Sequence, residues 1–221
     1  SASKFNIQRI DRAAPGNRVI QMLLTENGDK HLVYTGCSDT TCQNSELFYA
    51  NQMKGKNWQT KSVDASGKDT GWFPSLTLDA KGTPHIFYAN HDVQSLRYST
   101  QVNGSWQSKT LGSGRGGWWT SAGFGNGKLY MAHTKFSDGG WDNAGLEVGT
   151  FENGKWLFEM VDPSRNAGWF TSMSVLPNGN PVVSYSSVIS QPVGAVKLAV
   201  RENNQWSLID VDDISVKHHV T

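Results

Sequence analysis

Short alternations of apolar and polar residues fill the chain from Val19 onward. "VIQMLL" (Val19–Leu24), "HLVY" (His31–Tyr34), "HIFY" (His85–Tyr88) and "LRYSTQV" (Leu96–Val102) are all of strand length. Turn-forming pairs such as "NG", "KG" and "GN" separate them. Runs of this length bounded by such turns predict β-hairpins, and the whole pattern predicts an all-β chain.

The hairpins repeat. "GWFPSLTLDAKGTPHIFY" (Gly71–Tyr88) aligns without a gap on "GWFTSMSVLPNGNPVVSY" (Gly168–Tyr185). "GWWTSAGFGNGKLYMAH" (Gly117–His133) aligns with one deletion. "NRVIQMLLTENGDKHLVY" (Asn17–Tyr34) also aligns, with Arg18 in the place of the Trp. A second strand pair follows each unit, and its last strand opens on a tryptophan: Trp58, Trp106, Trp156 or Trp206. Each unit is therefore four antiparallel strands, a to d, in roughly 45–55 residues, which is the signature of a β-propeller blade. A lone four-stranded sheet has two apolar faces, and neighbouring blades around an axis bury them for each other.

The predicted blades cover residues 12–64, 65–112, 113–162 and 163–212 of one domain spanning 1–221. "FNIQRID" (Phe5–Asp11) has an aromatic six residues before an Asp, as strand d does, and predicts a lone strand d over residues 5–11. Residues 214–221 fall where a further strand a would begin. The chain reads as four complete blades plus the terminal strands of another, either a piece of a larger ring or a ring that closes irregularly.

These repeats resemble the secreted β-propellers built from sialidase-type or tachylectin-type units, on the block "LDAKGTPHIFYAN…LRYSTQVNGSW". The c–d turns "VNGSW", "ENGKW" and "ENNQW" keep the turn and the Trp of a sialidase box but lack its Ser-x-Asp. The resemblance implies a secreted or periplasmic protein whose partner is a glycan or glycoconjugate.

Topology sorts the loops. In a four-stranded meander the b–c and d–a connections share one end, and the a–b and c–d turns share the other. The second set is short. The first includes "TGCSDTTCQNS", "KFSDGGWDNAG", "SGRGG" and "PSRNAG". Loops longer than a hairpin needs are where a rigid scaffold carries function. The nine tryptophans divide accordingly. Those opening strand d recur at one place and read as packing residues. Trp72, Trp118, Trp119 and Trp169 open strand a at the loop-rich end, and Trp141 lies in the longest b–c loop. They read either as packing between blades or as platforms on which the apolar face of a sugar stacks. Arg18, Arg115, Arg165, His91, Asp92, Asp138, Asp142 and Asn143 are the polar candidates beside them.

Catalytic patterns are sparse. A sialidase-like site needs three arginines on one carboxylate, and Arg18, Arg115 and Arg165 are not at equivalent positions. Glycoside hydrolysis needs two carboxylates at a set separation. Asp92, Asp138 and Asp142 are candidates, all in b–c loops, where solvated surface is the competing reading. His91 or His133 as base with a tyrosine as acid would suit a lyase. No phosphate loop, serine elbow or metal-ligand spacing is present, so no cofactor or metal is expected.

Net charge of +1 argues against nucleic acid, and no apolar run approaches a membrane span. Cys37 and Cys42 in "GCSDTTCQ" read as a loop-stapling disulfide, with two surface thiols as the alternative. The combined expectation is a carbohydrate-binding propeller without catalysis, working through its b–c and d–a end. A glycan-cleaving enzyme and a protein-interaction scaffold are the alternatives, and a homo-oligomer is compatible with each.

Overall fold

The structure, a computed structural model, describes residues 6–14, 19–37, 39–137, 140–190 and 193–211. It is all-β: four separate four-stranded antiparallel sheets, each a meander in chain order. Blade A comprises β1 (Ile20–Leu24), β2 (Lys30–Gly36), β3 (Glu46–Gln52) and β4 (Gln59–Asp64). Blade B comprises β5 (Thr70–Leu78), β6 (Pro84–Asn90), β7 (Ser95–Val102) and β8 (Ser105–Thr110). Blade C comprises β9 (Gly116–Gly125), β10 (Lys128–Phe136), β11 (Ala144–Glu152) and β12 (Lys155–Asp162). Blade D comprises β13 (Trp169–Val175), β14 (Pro181–Ser190), β15 (Val193–Glu202) and β16 (Gln205–Asp210). This is a β-propeller architecture.

The core lies between the blades. Val33, Leu47 and Tyr49 of blade A meet Leu76, Ile86 and Tyr88 of blade B. Phe87, Leu96 and Tyr98 of blade B meet Leu129 and Met131 of blade C. Ala132, Leu146 and Val148 of blade C meet Val183, Tyr185 and Ala199 of blade D. Burying each such aliphatic or aromatic side chain contributes on the order of 1.5–3 kcal/mol, so the junctions supply most of the cohesion. Trp106, Trp156 and Trp206 pack against these three clusters in turn, as expected of strand-d tryptophans.

The Gly-Trp-aromatic-x-Ser motif has a defined backbone shape. The Gly adopts φ of 86°, 87° and 79° at Gly71, Gly117 and Gly168. A Cβ there would lie 2.7 Å from the Leu47 backbone, 2.9 Å from Leu96 Cα, or 2.5 Å from the Gly145 carbonyl oxygen. Only glycine lets strand a come this close to strand c of the blade before. Between the Trp and the Ser one extra residue enters the strand: Trp72 and Ser75 face Ala89 and Phe87. The same bulge recurs at Trp118–Ser121 and Trp169–Ser172. The third motif residue carries it in the left-handed region, at φ 50° (Phe73), 44° (Trp119) and 53° (Phe170). A bulky residue seldom adopts that conformation on its own, and here it follows a positive-φ Gly and sits within the bulge in all three motifs.

A second clasp links successive blades. The Tyr88 hydroxyl donates to Asp64 at the end of β4, and Arg97 Nε donates to the same carboxylate at 2.8 Å. Tyr185 donates to Asp162 at the end of β12, with Lys197 Nζ at 3.2 Å. Burial would raise the Asp64 carboxyl, but hydrogen bonds from Ser66, Tyr88 and Arg97 outweigh it and hold it below its ordinary range. Asp162 is held down in the same way by Ser164, Tyr185 and Lys197. Blade C departs from the pattern. Gly112 stands where the Asp would be, His133 replaces the Tyr, and Glu147 replaces the cation. The pair closes on itself, His133 Nε2 to Glu147 at 2.9 Å.

Residues 6–11 correct one expectation. They form no strand, because a strand d pairs with a strand c and none lies beside them among the described residues. Asp11 nevertheless accepts from the Tyr34 hydroxyl, the contact that Asp64 and Asp162 make with their tyrosines. Residues 214–221 lie outside the described residues.

Candidate functional site

The loop-rich end is covered by one aromatic cluster. Its centre is Phe73, Trp118, Phe136 and Ala144, with Trp72, Trp119 and Trp169 packed around them. The rings form a continuous run across three blades. Trp72 lies 6.3 Å from Trp118, Trp118 lies 5.6 Å from Trp119, and Trp119 lies 4.9 Å from Trp169 and 4.7 Å from Phe170. The bulges produce this run by bringing two consecutive aromatics of each motif to the same end of the propeller.

Each residue expected here has a definite place. Trp118 is only 5 % exposed, with Phe136 edge-on at 5.8 Å. It has no open face, which makes it interior packing and corrects its reading as a platform. Trp72, Trp119 and Trp169 are partly exposed. Trp72 is fixed to blade A, its indole N–H donating to Ser45 Oγ at 3.2 Å, and His91 stacks on its ring at 4.1 Å. Arg115 donates to Gln94 and lies over the Phe136 ring at 5.5 Å. Arg165 pairs with Asp142 at 3.3 Å, both well exposed. Asp92 is exposed. Trp141, Asp142 and Asn143 form a single 3-10 turn in the β10–β11 loop, where the Asn143 carbonyl accepts from Ser137. Arg18 and Asp138 lie outside the described residues.

The structure thus brings Trp72, Trp118, Trp119, Trp169 and His91 together. Arg115 sits at the edge of the cluster, and the Arg165–Asp142 pair stands out in solvent. Arg115 and Arg165 are held by different partners and do not form a shared carboxylate fork. His133 is buried, 1 % exposed, and donates or accepts at both ring nitrogens: Gly117 N–H at 2.9 Å on Nδ1 and Glu147 on Nε2. Burial would raise the Glu147 carboxyl, but His133 and Lys135 outweigh it and hold it below its ordinary range. Among the described residues no group of three or more His, Cys, Asp or Glu is arranged to hold a metal.

Cys37 and Cys42 are joined in a disulfide in the β2–β3 loop, with Cα atoms 5.2 Å apart. Asp39 shapes that loop by accepting the Thr41 and Cys42 N–H groups at 2.7 and 2.6 Å. Disulfides persist in oxidising compartments. No helix among the described residues is long and apolar enough to cross a membrane.

Two structural features went unread in the sequence: the Tyr–Asp–cation clasp and the left-handed aromatic. The first had a signal. Asp64, Asp162 and Asp11 recur with Tyr88, Tyr185 and Tyr34, and Gly112 and His133 change together in the one exception.

No protein-family model matches the chain, and no curated protein matches it. Solved structures do. A protein of unknown function from Dyadobacter fermentans superposes with a TM-score of 0.63 at 12 % identity, over 86 % of this chain and 68 % of that one. A xylan β-1,4-xylosidase from Bacillus halodurans gives 0.56 at 13 % identity, over 90 % of this chain and 44 % of that one. A Trypanosoma rangeli sialidase gives 0.59 at 11 % identity, over 88 % of this chain and 37 % of that one. The chain spans less than half of the xylosidase and of the sialidase. At such identities the likeness is one of fold, and it agrees with the propeller architecture.

Proposed function

We propose that this propeller binds carbohydrate at its loop-rich end, without cleaving it. The observation that carries the reading is the continuous aromatic run from Trp72 to Phe170, partly open to solvent and bordered by His91, Arg115 and the Arg165–Asp142 pair. Pyranose rings present an apolar C–H face that packs on an indole, while their hydroxyls need charged or amide partners nearby. Trp169 and Phe170, at the end of the run, offer the most open aromatic surface. A glycan array followed by titration tests the reading. Trp169→Ala is expected to weaken binding by about tenfold, the scale of losing one stacked ring, while the fold is retained. Absence of glycan binding by the unaltered protein overturns it.

A second reading is a glycan-cleaving enzyme. It is favoured by several proteins of similar fold, among them a xylosidase, an arabinofuranosidase and a sialidase. Glu147, paired with His133 beneath the loop end, is the carboxylate it would draw on. Hydrolysis requires a second carboxyl about 5–10 Å away. Incubation with xylo-, arabino- and sialyl-oligosaccharides separates the two. Product release that Glu147→Gln abolishes would establish the enzyme, and binding without product supports the lectin.

A further inference from the structure

The opposite end of the propeller, where the short turns lie, carries a groove between blades A and B of about 550 Å³. Its wall combines the Tyr49 and Trp106 rings with Asn51, Gln59, Gln101 and Lys61. The two rings meet edge-on at 5.1 Å, and the His31 ring bonds the Tyr49 hydroxyl at 2.5 Å, which fixes the floor. None of the Asn51, Gln59, Gln101 and Lys61 side chains has a hydrogen bond or ion pair to another described residue. Four free polar side chains around two rings form a recognition surface rather than a satisfied core.

The equivalent grooves are different. Between blades C and D, the charged groups already neutralise each other, Lys128 with Glu152 at 2.6 Å and Arg201 with Glu159. Between blades B and C the groove is smaller, about 260 Å³, and lined by Tyr98, Phe151 and Trp156 together with Thr100, Val102, Gln107, Ser108 and Lys109. The blade A–B groove stands apart by its size, and four of its polar side chains make no bond within the described protein.

Charge narrows the ligand. No Asp or Glu lines this groove. The turns that form its rim carry Lys54, Lys56 and Lys81 beside the lining Lys61, and none of these four makes an ion pair among the described residues. The carboxylates on these turns, Asp29 and Asp79, stay charged but turn their oxygens toward the turns' own groups. Asp29 accepts the Lys54 N–H at 2.7 Å, and Asp79 accepts the Lys81 and Thr83 N–H groups at 2.9 and 2.8 Å.

We infer that the groove between blades A and B is a second carbohydrate site, selective for an anionic sugar residue. The ring face of the sugar packs on Trp106, which is partly exposed where Tyr49 is buried, its hydroxyls reach Asn51, Gln59 and Gln101, and its carboxylate or sulfate meets Lys61. This site is separate from the loop-end patch and does not rest on it.

Titration with three probes tests the proposal: tetragalacturonate, a heparin-derived tetrasaccharide and neutral xylotetraose. At least one anionic probe is expected to bind, carboxylated if the groove reads uronates and sulfated if it reads sulfate. Lys61→Glu should weaken that binding by about tenfold or more, and raising NaCl from about 50 to about 300 mM should weaken it as well. Gln101→Ala should weaken it a few-fold, and Trp169→Ala at the other end should leave it unchanged. These side chains are surface groups, so thermal melts should confirm intact folding. Failure of both anionic probes to bind overturns the proposal. So does binding that Lys61→Glu and Gln101→Ala leave unchanged. Loss of binding on Trp169→Ala alone would assign the glycan to the loop end and reject the groove.

Discussion

Blade B and blade D carry nearly the same motif, "GWFPS" and "GWFTS", and give it different surroundings. Phe73 in blade B is 6 % exposed, covered by Trp118 at 5.0 Å and Trp119 at 4.7 Å from the next blade. Phe170 in blade D has the same left-handed backbone and is 64 % exposed. Trp119 in blade C is intermediate, covered in turn by Trp169 and Phe170. The difference shows that a motif residue is buried by the following blade and not by its own. It also shows that the left-handed turn is set by the Gly and the bulge, since it survives at Phe170 without a covering ring.

The largest effect expected from this comparison is Phe73→Ala. Removing a buried ring from the junction should cost about 3–5 kcal/mol, read as a fall in the denaturant midpoint. Gly168→Ala should come next, at about 3 kcal/mol, because it combines a positive φ with a Cβ pressed on the Gly145 backbone. A much smaller loss there would mean that strand a can move away from blade C.

The clasps give the third test. Tyr88→Phe should cost about 1–3 kcal/mol near neutral pH, since it strips a hydrogen bond from a buried carboxylate. The pH dependence has a fixed sign. Asp64 and Asp162 are held below their ordinary value of 3.8 in the folded state, so the folded state binds fewer protons than the unfolded one. Their contribution is full above that value and is lost as pH falls below it. Melts from neutral pH down through the acid range should show the unaltered protein losing stability below about pH 4. The gap to Tyr88→Phe should narrow over the same range. A gap that stays constant into acid would break the carboxylate account. Phe170→Ala should have the smallest effect, under about 1 kcal/mol, because little area is removed from water there. A loss equal to that of Phe73→Ala would mean that another element covers blade D in solution.

Much of the fold was legible in the chain because blades repeat. Four copies of one hairpin pattern announce four sheets, and the Trp that opens each strand d marks the register. The loop-rich end was also legible, since a meander places alternate connections at opposite ends. Burial was not. Trp118 and Trp119 are adjacent and chemically alike, yet one is interior and the other partly open, since the bulge turns them to different neighbours. Nor could single positions reveal the groove between blades A and B, whose lining comes from strands about seventy residues apart in the chain.

The sequence by itself determined the blade: alternation selects the strand, Gly-containing turns select the hairpin, and four agreeing copies select the propeller. It also determined which side chains would be available at each end. The tertiary structure decided which of them are spent on the protein and which remain for a ligand. That division depends on the junction each blade makes with its neighbour. Trp118 is enclosed by rings of blades B and C, Asp64 is neutralised across a junction by Arg97 and accepts from Tyr88, and Lys61 lines a groove that no carboxylate lines. Such contacts join residues distant in the chain, so their energies depend on distances that no local pattern encodes.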